Sequence, residues 1–232
     1  EVENQLMDHH YFGIRNILAL RGDPPAGDAN WVPNPKSYPY AFQLIEQIRL
    51  LNQGQFLERK GFSATSKVHT DFCIGAAAYP DEPQKEIRID NFIKKIQAGA
   101  EYGITQMIYQ VDSYSRFLED VTAGAKRNVS AGIRTEVPVL PGLRLLRSRA
   151  QAERMKSRFQ IPIANELIQK LPEIPEKTAL TSLQEDQVLE VFMDLIADFK
   201  RAGAPGVHIF VLVDTDISCS LLRKLRTATS QS

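Results

Sequence analysis

The sequence predicts an α/β fold built on a parallel sheet, and three observations carry that prediction. Five short runs rich in branched apolar residues, at 16–20, 72–78, 103–109, 137–140 and 207–213, continue without polar alternation, as strands do when both faces are covered. Helical patterns at 40–53, 89–98, 114–124, 151–160 and 184–202 alternate with them. Three of those patterns also end in nearly the same words, Gln97-Ala98-Gly99-Ala100, Thr122-Ala123-Gly124-Ala125 and Arg201-Ala202-Gly203-Ala204, an internal repeat that belongs to strand-helix architecture.

Taken in order, the run at 16–20 stops at Arg21-Gly22-Asp23, and the loop after it carries Pro24, Pro25, Pro33, Pro35 and Pro39 with Gly27, Asn30 and Asn34. The pattern at 40–53 then leads to the run at 72–78, and 89–98 to 103–109. After Gly124 the chain makes a second attempt at a helix end, Ser130-Ala131-Gly132, before the run at 137–140. Residues 161–184 hold Pro162, Pro172 and Pro175 around a short helix and read as an excursion on the outside of the fold. In the last pattern Val188, Val191, Phe192, Leu195, Ile196 and Phe199 recur at three- and four-residue spacing, one apolar stripe of a helix. Gly99 and Gly203 are placed to close their helices in the left-handed conformation.

Charge narrows the function. Twenty-eight basic and 28 acidic side chains give a net charge of zero, which removes the electrostatic footprint expected for nucleic-acid or anionic-membrane binding and leaves small molecules or protein as partners. Cys73 and Cys219 lie far apart in apolar runs, so neither a disulfide framework nor a thiolate metal site is expected, and a reducing, cytoplasmic compartment fits. The histidines offer no converging ligand set: His9 and His10 read as exposed helix residues, His69 precedes a strand in polar surroundings, and His208 reads as a hydrogen-bonded core residue. No window is apolar enough to span a bilayer, and Glu1-Val2-Glu3-Asn4 has neither a signal sequence nor an initiator Met, so the chain is expected to begin inside a longer one.

Three strand ends could carry chemistry. Gly22 lets backbone approach a flat ligand, and the Asp23 carboxylate can accept from protonated ring nitrogens, although Arg-Gly-Asp alone fits a solvated turn equally well. In Gly103-Ile104-Thr105-Gln106-Met107 a polar pair interrupts a buried run, so Gln106 either satisfies neighbouring backbone or offers a donor and an acceptor to a heterocycle. In Cys73-Ile74-Gly75-Ala76-Ala77-Ala78-Tyr79-Pro80 four small residues leave volume for another group, and Tyr79 could stack on a ring or simply sit at a core edge.

With the words Asn16-Ile17-Leu18-Ala19-Leu20-Arg21-Gly22-Asp23-Pro24, Trp31 before Tyr40-Ala41, Ala76-Ala77-Ala78-Tyr79-Pro80, Ala98-Gly99-Ala100 before Ile104-Thr105-Gln106, Val137-Pro138-Val139-Leu140-Pro141-Gly142 and Pro205-Gly206-Val207-His208, the sequence resembles the methylenetetrahydrofolate reductases from residue 13 to about 213. The resemblance implies a (β/α)8 TIM barrel, represented here by about the last five βα units in one partial barrel domain, with residues 1–12 as the helix after a third strand. It implies FAD as cofactor, NADH or NADPH as co-substrate, a folate substrate, and reduction of 5,10-methylenetetrahydrofolate to 5-methyltetrahydrofolate. Arg21, Gly22 and Asp23 would lie along the flavin, with Asp23 also meeting the pterin; Tyr40, Ala41 and Tyr79 would line the FAD site. Lys95 would neutralise FAD phosphate, unless it is solvated like its neighbour Lys94, and Gln106 would hydrogen-bond the pterin. Ligand-bearing loops are expected at 21–39, 79–88, 107–113, 141–149 and 213–217.

The departures from the family pattern carry expectations of their own. No Glu-Phe-Phe-Pro-Pro-like strand bearing the family's proton-donating glutamate occurs, so the catalytic acid is unknown, and this chain alone is expected not to reduce the substrate; either it is an excerpt of a longer protein or partner strands come from elsewhere. No regulatory domain is expected after the barrel. Asp81-Glu82-Pro83-Gln84 is shorter than the family's loop and lacks its His, Arg88 stands at an acidic position, and Leu145, Arg147 and Ser148 replace a Pro-containing turn. Asp214 stands where the family has an Arg that meets folate, so a folate glutamate tail there is expected to meet repulsion. The alternative is a catalytically silent homologue acting as an interaction or regulatory subunit, in a homo-oligomer or with an active paralogue.

Overall fold

The computed structural model describes all residues except 23–31, 33, 35–36, 62, 128–135, 176–177, 212–213 and 230–232. In chain order it has α1 (Val2–Tyr11), β1 (Asn16–Ala19), α2 (Ala41–Asn52), β2 (Cys73–Ala78), a π-helical turn (Glu86–Asp90) that runs into α3 (Asn91–Ala98), and β3 (Tyr102–Met107). Then come α4 (Val111–Arg127), β4 (Val139–Leu143), α5 (Arg149–Phe159), α6 (Asn165–Gln169), α7 (Ser182–Arg201), β5 (His208–Ile209) and α8 (Thr215–Thr229). The strands are hydrogen-bonded in the order β1-β2-β3-β4-β5, and the β1·β2 and β4·β5 pairs are parallel. This is the α/β fold with parallel pairing that the apolar runs predict; a complete barrel of this kind has eight strands, and the described residues hold five.

The chain divides into two compact units. The first comprises Glu1–Ala78, Gln84–Gly103 and Asp120–Pro138. Its register pairs Asn16 with Cys73 and Ala19 with Ala76, so β1 and β2 end side by side. Ile45, Ile48 and Leu51 of α2 and Phe92, Ile93 and Ile96 of α3 are buried with Ile74. The last apolar position of α3 gives way to Gly99, whose φ of +124° strains any other residue, and the turn to β3 follows at once. On α1, the buried carboxylate of Glu3 accepts from Arg59 Nη2 at 2.6 Å, from the Leu57 backbone N–H at 2.8 Å and from Gln47 Nε2 at 3.3 Å.

The second unit comprises Tyr79–Pro83, Ile104–Glu119 and Val139–Ser232. The stripe predicted from Val188 to Phe199 is the buried face of α7, and Tyr114 meets Phe199 edge to face at 5.5 Å while donating its hydroxyl hydrogen bond to Val139 O at 2.8 Å. Burial pushes the Tyr114 phenol up to about 12. Thr181 caps α7 by accepting from the Gln184 backbone N–H at 3.3 Å, and Gln184 Oε1 returns the bond to the Thr181 N–H at 3.0 Å. Gly203, at φ +89°, closes the turn after that helix.

Several expectations need correction. The middle copy of the Ala-Gly repeat ends nothing: Gly124 lies inside α4, where a Cβ would come within 2.6 Å of Ile93 Cδ1, so its role is close packing. The volume left at Gly75 in β2 is taken by the protein itself, since a Cβ there would stand 2.3 Å from the Tyr102 ring. β4 begins later than expected and continues through Pro141-Gly142, because Pro138 and Pro141 lack the N–H that marks a strand interior while the Gly142 N–H still finds an acceptor, Thr105 Oγ1 at 2.8 Å. Residues expected in ligand loops are partly helical: 86–88 in the π turn, 111–113 in α4 and 215–217 in α8. β5 is only two residues long, extended by the Phe210 N–H to Leu143 O at 2.7 Å. His10 is bound rather than free, 2.9 Å from Asp71, and the His208 ring sits edge-on to Phe210 at 4.6 Å.

Candidate functional site

In the first unit Arg21, Gly22 and Lys95 lie where β1 and β2 end. Leu20, Arg21 and Gly22 leave β1 just past the last paired residues, Ala19 and Ala76, and are exposed. Lys95 comes to the same end of the sheet from α3: its Nζ donates to Ala77 O at 2.8 Å, one residue beyond that pair. Only 8% of Lys95 is exposed, which corrects the solvated alternative, and burial lowers its amine to about 8. Tyr40 precedes α2; its backbone N–H donates to Gln43 Oε1 at 3.1 Å and its exposed ring stacks on Phe42 at 5.6 Å, which presents an aromatic face at the start of the helix, and Ala41 follows it half-buried. Asp23 lies outside the described residues.

A buried cation held by a backbone carbonyl at a strand end, with an exposed Arg and an exposed aromatic ring in the same unit, fits a cofactor that carries phosphate and a flat ring. Bringing a phosphate to Lys95 would offset the desolvation that now weakens its charged form.

The second unit brings Tyr79 and Gln106 together. Both line a cleft of about 240 Å³, together with Asp81, Glu82, Met107, Phe159, Ile161 and Pro162. Tyr79 is 39% exposed, so its ring is available to a ligand. The pair Thr105-Gln106 divides its work. Thr105 is buried, accepting from the Gly142 N–H and donating to Gln106 O at 2.7 Å, so it ties β3 to β4. Gln106 is exposed, and its Oε1 accepts from the Met107 N–H at 3.2 Å. The amide thus satisfies local backbone, and the residue lines the cleft.

Sequence reasoning missed two groups here. One is Asp81, whose carboxyl burial pushes up and whose hydrogen bond to Ser113 and nearby Arg116 pull back down. The signal was an acid directly after Tyr79-Pro80. The other is an ion cluster at the exits of β4 and β5. Arg147 Nη1 lies 3.2 Å from Asp214 Oδ1 and Arg144 Nη2 lies 3.8 Å from Asp214 Oδ2. Asp214 is thus flanked by two guanidinium groups, and the cluster carries a surplus positive charge. The Asp214 carboxylate is therefore paired within the protein. The signal was the coincidence of one unusual Arg, Arg147, with one unusual Asp, Asp214.

A second cavity, of about 430 Å³, lies among Tyr109, Arg116, Leu167, Lys170, Val191 and Asp194 and holds none of the expected site residues. Cys73, half-buried, and Cys219, exposed, are not disulfide-bonded in the structure. Among the described residues no helix is long and apolar enough to cross a membrane.

The chain is 26% identical over 226 residues to methylenetetrahydrofolate reductase 2 of Schizosaccharomyces pombe, a match that covers 92% of this chain and 31% of that protein. It is 32% identical over 238 residues to methylenetetrahydrofolate reductase 2 of Saccharomyces cerevisiae, covering 100% and 35%, and 27% identical over 229 residues to the 5,10-methylenetetrahydrofolate reductase of Escherichia coli, covering 97% and 65%. The chain thus spans about a third of the length of the yeast relatives and under two thirds of the bacterial one. Among solved structures, an uncharacterized protein from Clostridium thermocellum, described as binding two copies of 5-methyl-5,6,7,8-tetrahydrofolic acid, aligns with a TM-score of 0.42 and 24% identity over 68% of this chain and 55% of that one. The family model for methylenetetrahydrofolate reductase matches residues 1–226, in agreement with the motifs that end at the strand exits, and this chain belongs to the methylenetetrahydrofolate reductase family.

Proposed function

We propose that the protein containing this chain reduces 5,10-methylenetetrahydrofolate to 5-methyltetrahydrofolate with FAD as cofactor and NADH or NADPH as the source of hydride, in a cytoplasmic setting. The observation that carries this reading is the cleft in which Tyr79 and Gln106 meet. An aromatic ring and a carboxamide beside it suit a flat heterocycle with both donors and acceptors on its edge.

When bound, FAD would supply the hydride chemistry. The residues of this chain bind and orient. Lys95, fixed by Ala77 O, would meet a cofactor phosphate, and Arg21 and Gly22 would run along the flavin, where a residue without a side chain admits close backbone approach. Tyr40, Ala41 and Tyr79 would line the cofactor, Gln106 would hold the pterin, and Asp23 would serve both. Arg147 and Arg144, flanking Asp214, keep the β4 and β5 exits cationic, so a carboxylate-bearing substrate is still attracted there. That balance supports the reductase reading over a silent homologue at this strand end.

The test is spectroscopic first and kinetic second. Full-length protein mixed with FAD is expected to retain visible flavin absorbance through gel filtration and to bleach with NADH or NADPH, and the bleached protein to recolour on addition of 5,10-methylenetetrahydrofolate. Loss of all flavin on the column would remove the reductase reading. Retained flavin without recolouring would leave a flavoprotein of another substrate.

A further inference from the structure

The roles assigned above leave the buried threonine before Gln106 without a part in binding. Thr105 is 1% exposed, and its hydroxyl makes two bonds: it accepts from the Gly142 N–H at 2.8 Å and donates to Gln106 O at 2.7 Å. Gly142 is itself held from its other side, since its carbonyl accepts from the Ile108 N–H at 2.9 Å. No other residue fits there, because a Cβ at Gly142 would stand 2.4 Å from Thr105 O and 2.5 Å from the Phe210 ring. The hydroxyl therefore starts from a fixed anchor on β4.

What that hydroxyl donates to makes it more than a tie between strands. Gln106 C=O and Met107 N–H are the two ends of one planar peptide unit. The Thr105 hydroxyl fixes the first end, and the second donates to Gln106 Oε1 at 3.2 Å. A peptide that accepts at its carbonyl is polarised and donates more strongly from its N–H. The chain of bonds thus runs from Gly142 through the hydroxyl and the peptide to the oxygen of the Gln106 carboxamide. That oxygen is engaged, whereas the amide nitrogen meets no acceptor among the described residues, and Gln106 is exposed and lines the cleft with Tyr79. A glutamine without such a tie samples several rotamers and loses that freedom on binding, a cost that a carboxamide already held in place avoids.

We propose that Thr105 is a positioning residue for substrate binding: its hydroxyl, anchored on Gly142, holds the Gln106–Met107 peptide in the plane that fixes the Gln106 carboxamide and leaves its amide nitrogen free for the substrate. The proposal rests on the folate reading, in which Gln106 meets the substrate, and adds to it the residue that orients Gln106. Valine at this position keeps the shape and loses both bonds, alanine loses both bonds and the branch, and serine keeps the hydroxyl. The effect belongs to affinity for the folate, because Thr105 is buried and acts only through its neighbour.

The experiment compares full-length wild type, Thr105→Val, Thr105→Ala, Thr105→Ser, Gln106→Ala and the Thr105→Val, Gln106→Ala double variant, each loaded with FAD, with urea unfolding and FAD retention as controls for folding. Calorimetry gives the affinity for 5-methyltetrahydrofolate. Recolouring of dithionite-bleached protein over a concentration series of 5,10-methylenetetrahydrofolate gives a limiting rate and a half-saturating concentration. Thr105→Val and Thr105→Ala are expected to bind 5-methyltetrahydrofolate about 10-fold more weakly and to raise the half-saturating concentration alike, with FAD retained and the limiting rate little changed. Thr105→Ser is expected to stay within about twofold of wild type, and Thr105→Val to add nothing once Gln106 is alanine. An equal loss from Thr105→Val in both backgrounds marks a structural role and overturns the proposal, as does a Thr105→Ser as weak as Thr105→Val. Wild-type protein that binds 5-methyltetrahydrofolate while Thr105→Val and Thr105→Ala bind it equally well removes this inference alone; wild-type protein that retains FAD and does not bind 5-methyltetrahydrofolate removes the folate reading with it.

Discussion

Arg147 donates from Nη1 to Asp214 across 3.2 Å, and this one contact joins the residues that follow β4 to the residue that opens α8. Asp214 is 14% exposed at its side chain and Arg147 32%, so the pair sits where solvent screens it only partly. Removing the carboxylate leaves two guanidinium groups facing each other in that space. Asp214→Ala is expected to cost about 2 kcal/mol of stability, more than Arg147→Ala, and a double-mutant cycle to give a coupling near 1 kcal/mol. Urea unfolding at pH 7 of the four proteins checks the order; a cycle that sums to zero would show that the contact is incidental.

Lys95 predicts a stability that depends on pH in an unusual direction. Its folded pKa is depressed from 10.5 to about 8, so between those values the unfolded chain binds more protons than the folded one, and stability rises with pH through that window. Below about pH 8 the cost of the buried charge is present in full, up to about 3 kcal/mol. Lys95→Met is therefore expected to stabilise the ligand-free protein at pH 7, with the gain gone above pH 10.5, and to weaken FAD binding. Thermal unfolding at pH 7 and pH 10.5 with and without FAD separates the two effects.

Thr105 supplies a hydroxyl that no isosteric hydrocarbon replaces. Thr105→Val keeps the shape but leaves the buried Gly142 N–H without its acceptor, a loss of about 1–3 kcal/mol, whereas Thr105→Ser keeps the hydroxyl and is expected to cost less than half as much. Chemical denaturation distinguishes the pair. If Thr105→Ser loses stability and Thr105→Val does not, packing of the methyl group and not the hydrogen bond governs the position.

Glu3 holds three donors from two separate segments, α2 and residues 57–59, so its removal leaves Arg59 and a backbone N–H without their partner. Glu3→Ala is expected to destabilise the first unit by about 3 kcal/mol. Hydrogen exchange at Leu57 is the local readout; protection unchanged in Glu3→Ala would contradict the role given to the carboxylate.

What could be read from the sequence follows the physics of each signal. The buried strands and the α7 stripe were legible because apolar periodicity reports burial directly, and Val188 to Phe199 is one unbroken example. Gly99 and Gly203 were legible as helix ends because only a glycine takes positive φ without strain, yet the same reasoning failed at Gly124, where smallness serves Ile93 and not a turn. The two-sided role of Gln106 was stated as alternatives because an amide has enough atoms for both. Asp81 and the Arg144, Arg147 and Asp214 cluster stayed hidden because their meaning is relational: 35 positions separate Asp81 from Arg116, and 67 separate Arg147 from Asp214. A comparison with a family pattern, taken one position at a time, registers each as a departure and cannot register that two departures cancel.

The π-helical turn at Glu86–Asp90 bears on how this chain can be aligned with its relatives at all. A π turn contains one residue more than an α turn, so everything on its N-terminal side is rotated by about 100° against the helix that follows. Counting back from Lys95 by threes and fours therefore finds the wrong face before Asn91. Arg88 reaches Asp120 at 3.2 Å from within that inserted turn, which is why the position can carry a base where an acid is aligned. Deleting one residue of this turn is expected to swing Arg88 off Asp120 while Lys95 keeps its hydrogen bond to Ala77 O, so the ion pair and the buried lysine answer separately to the length of this segment.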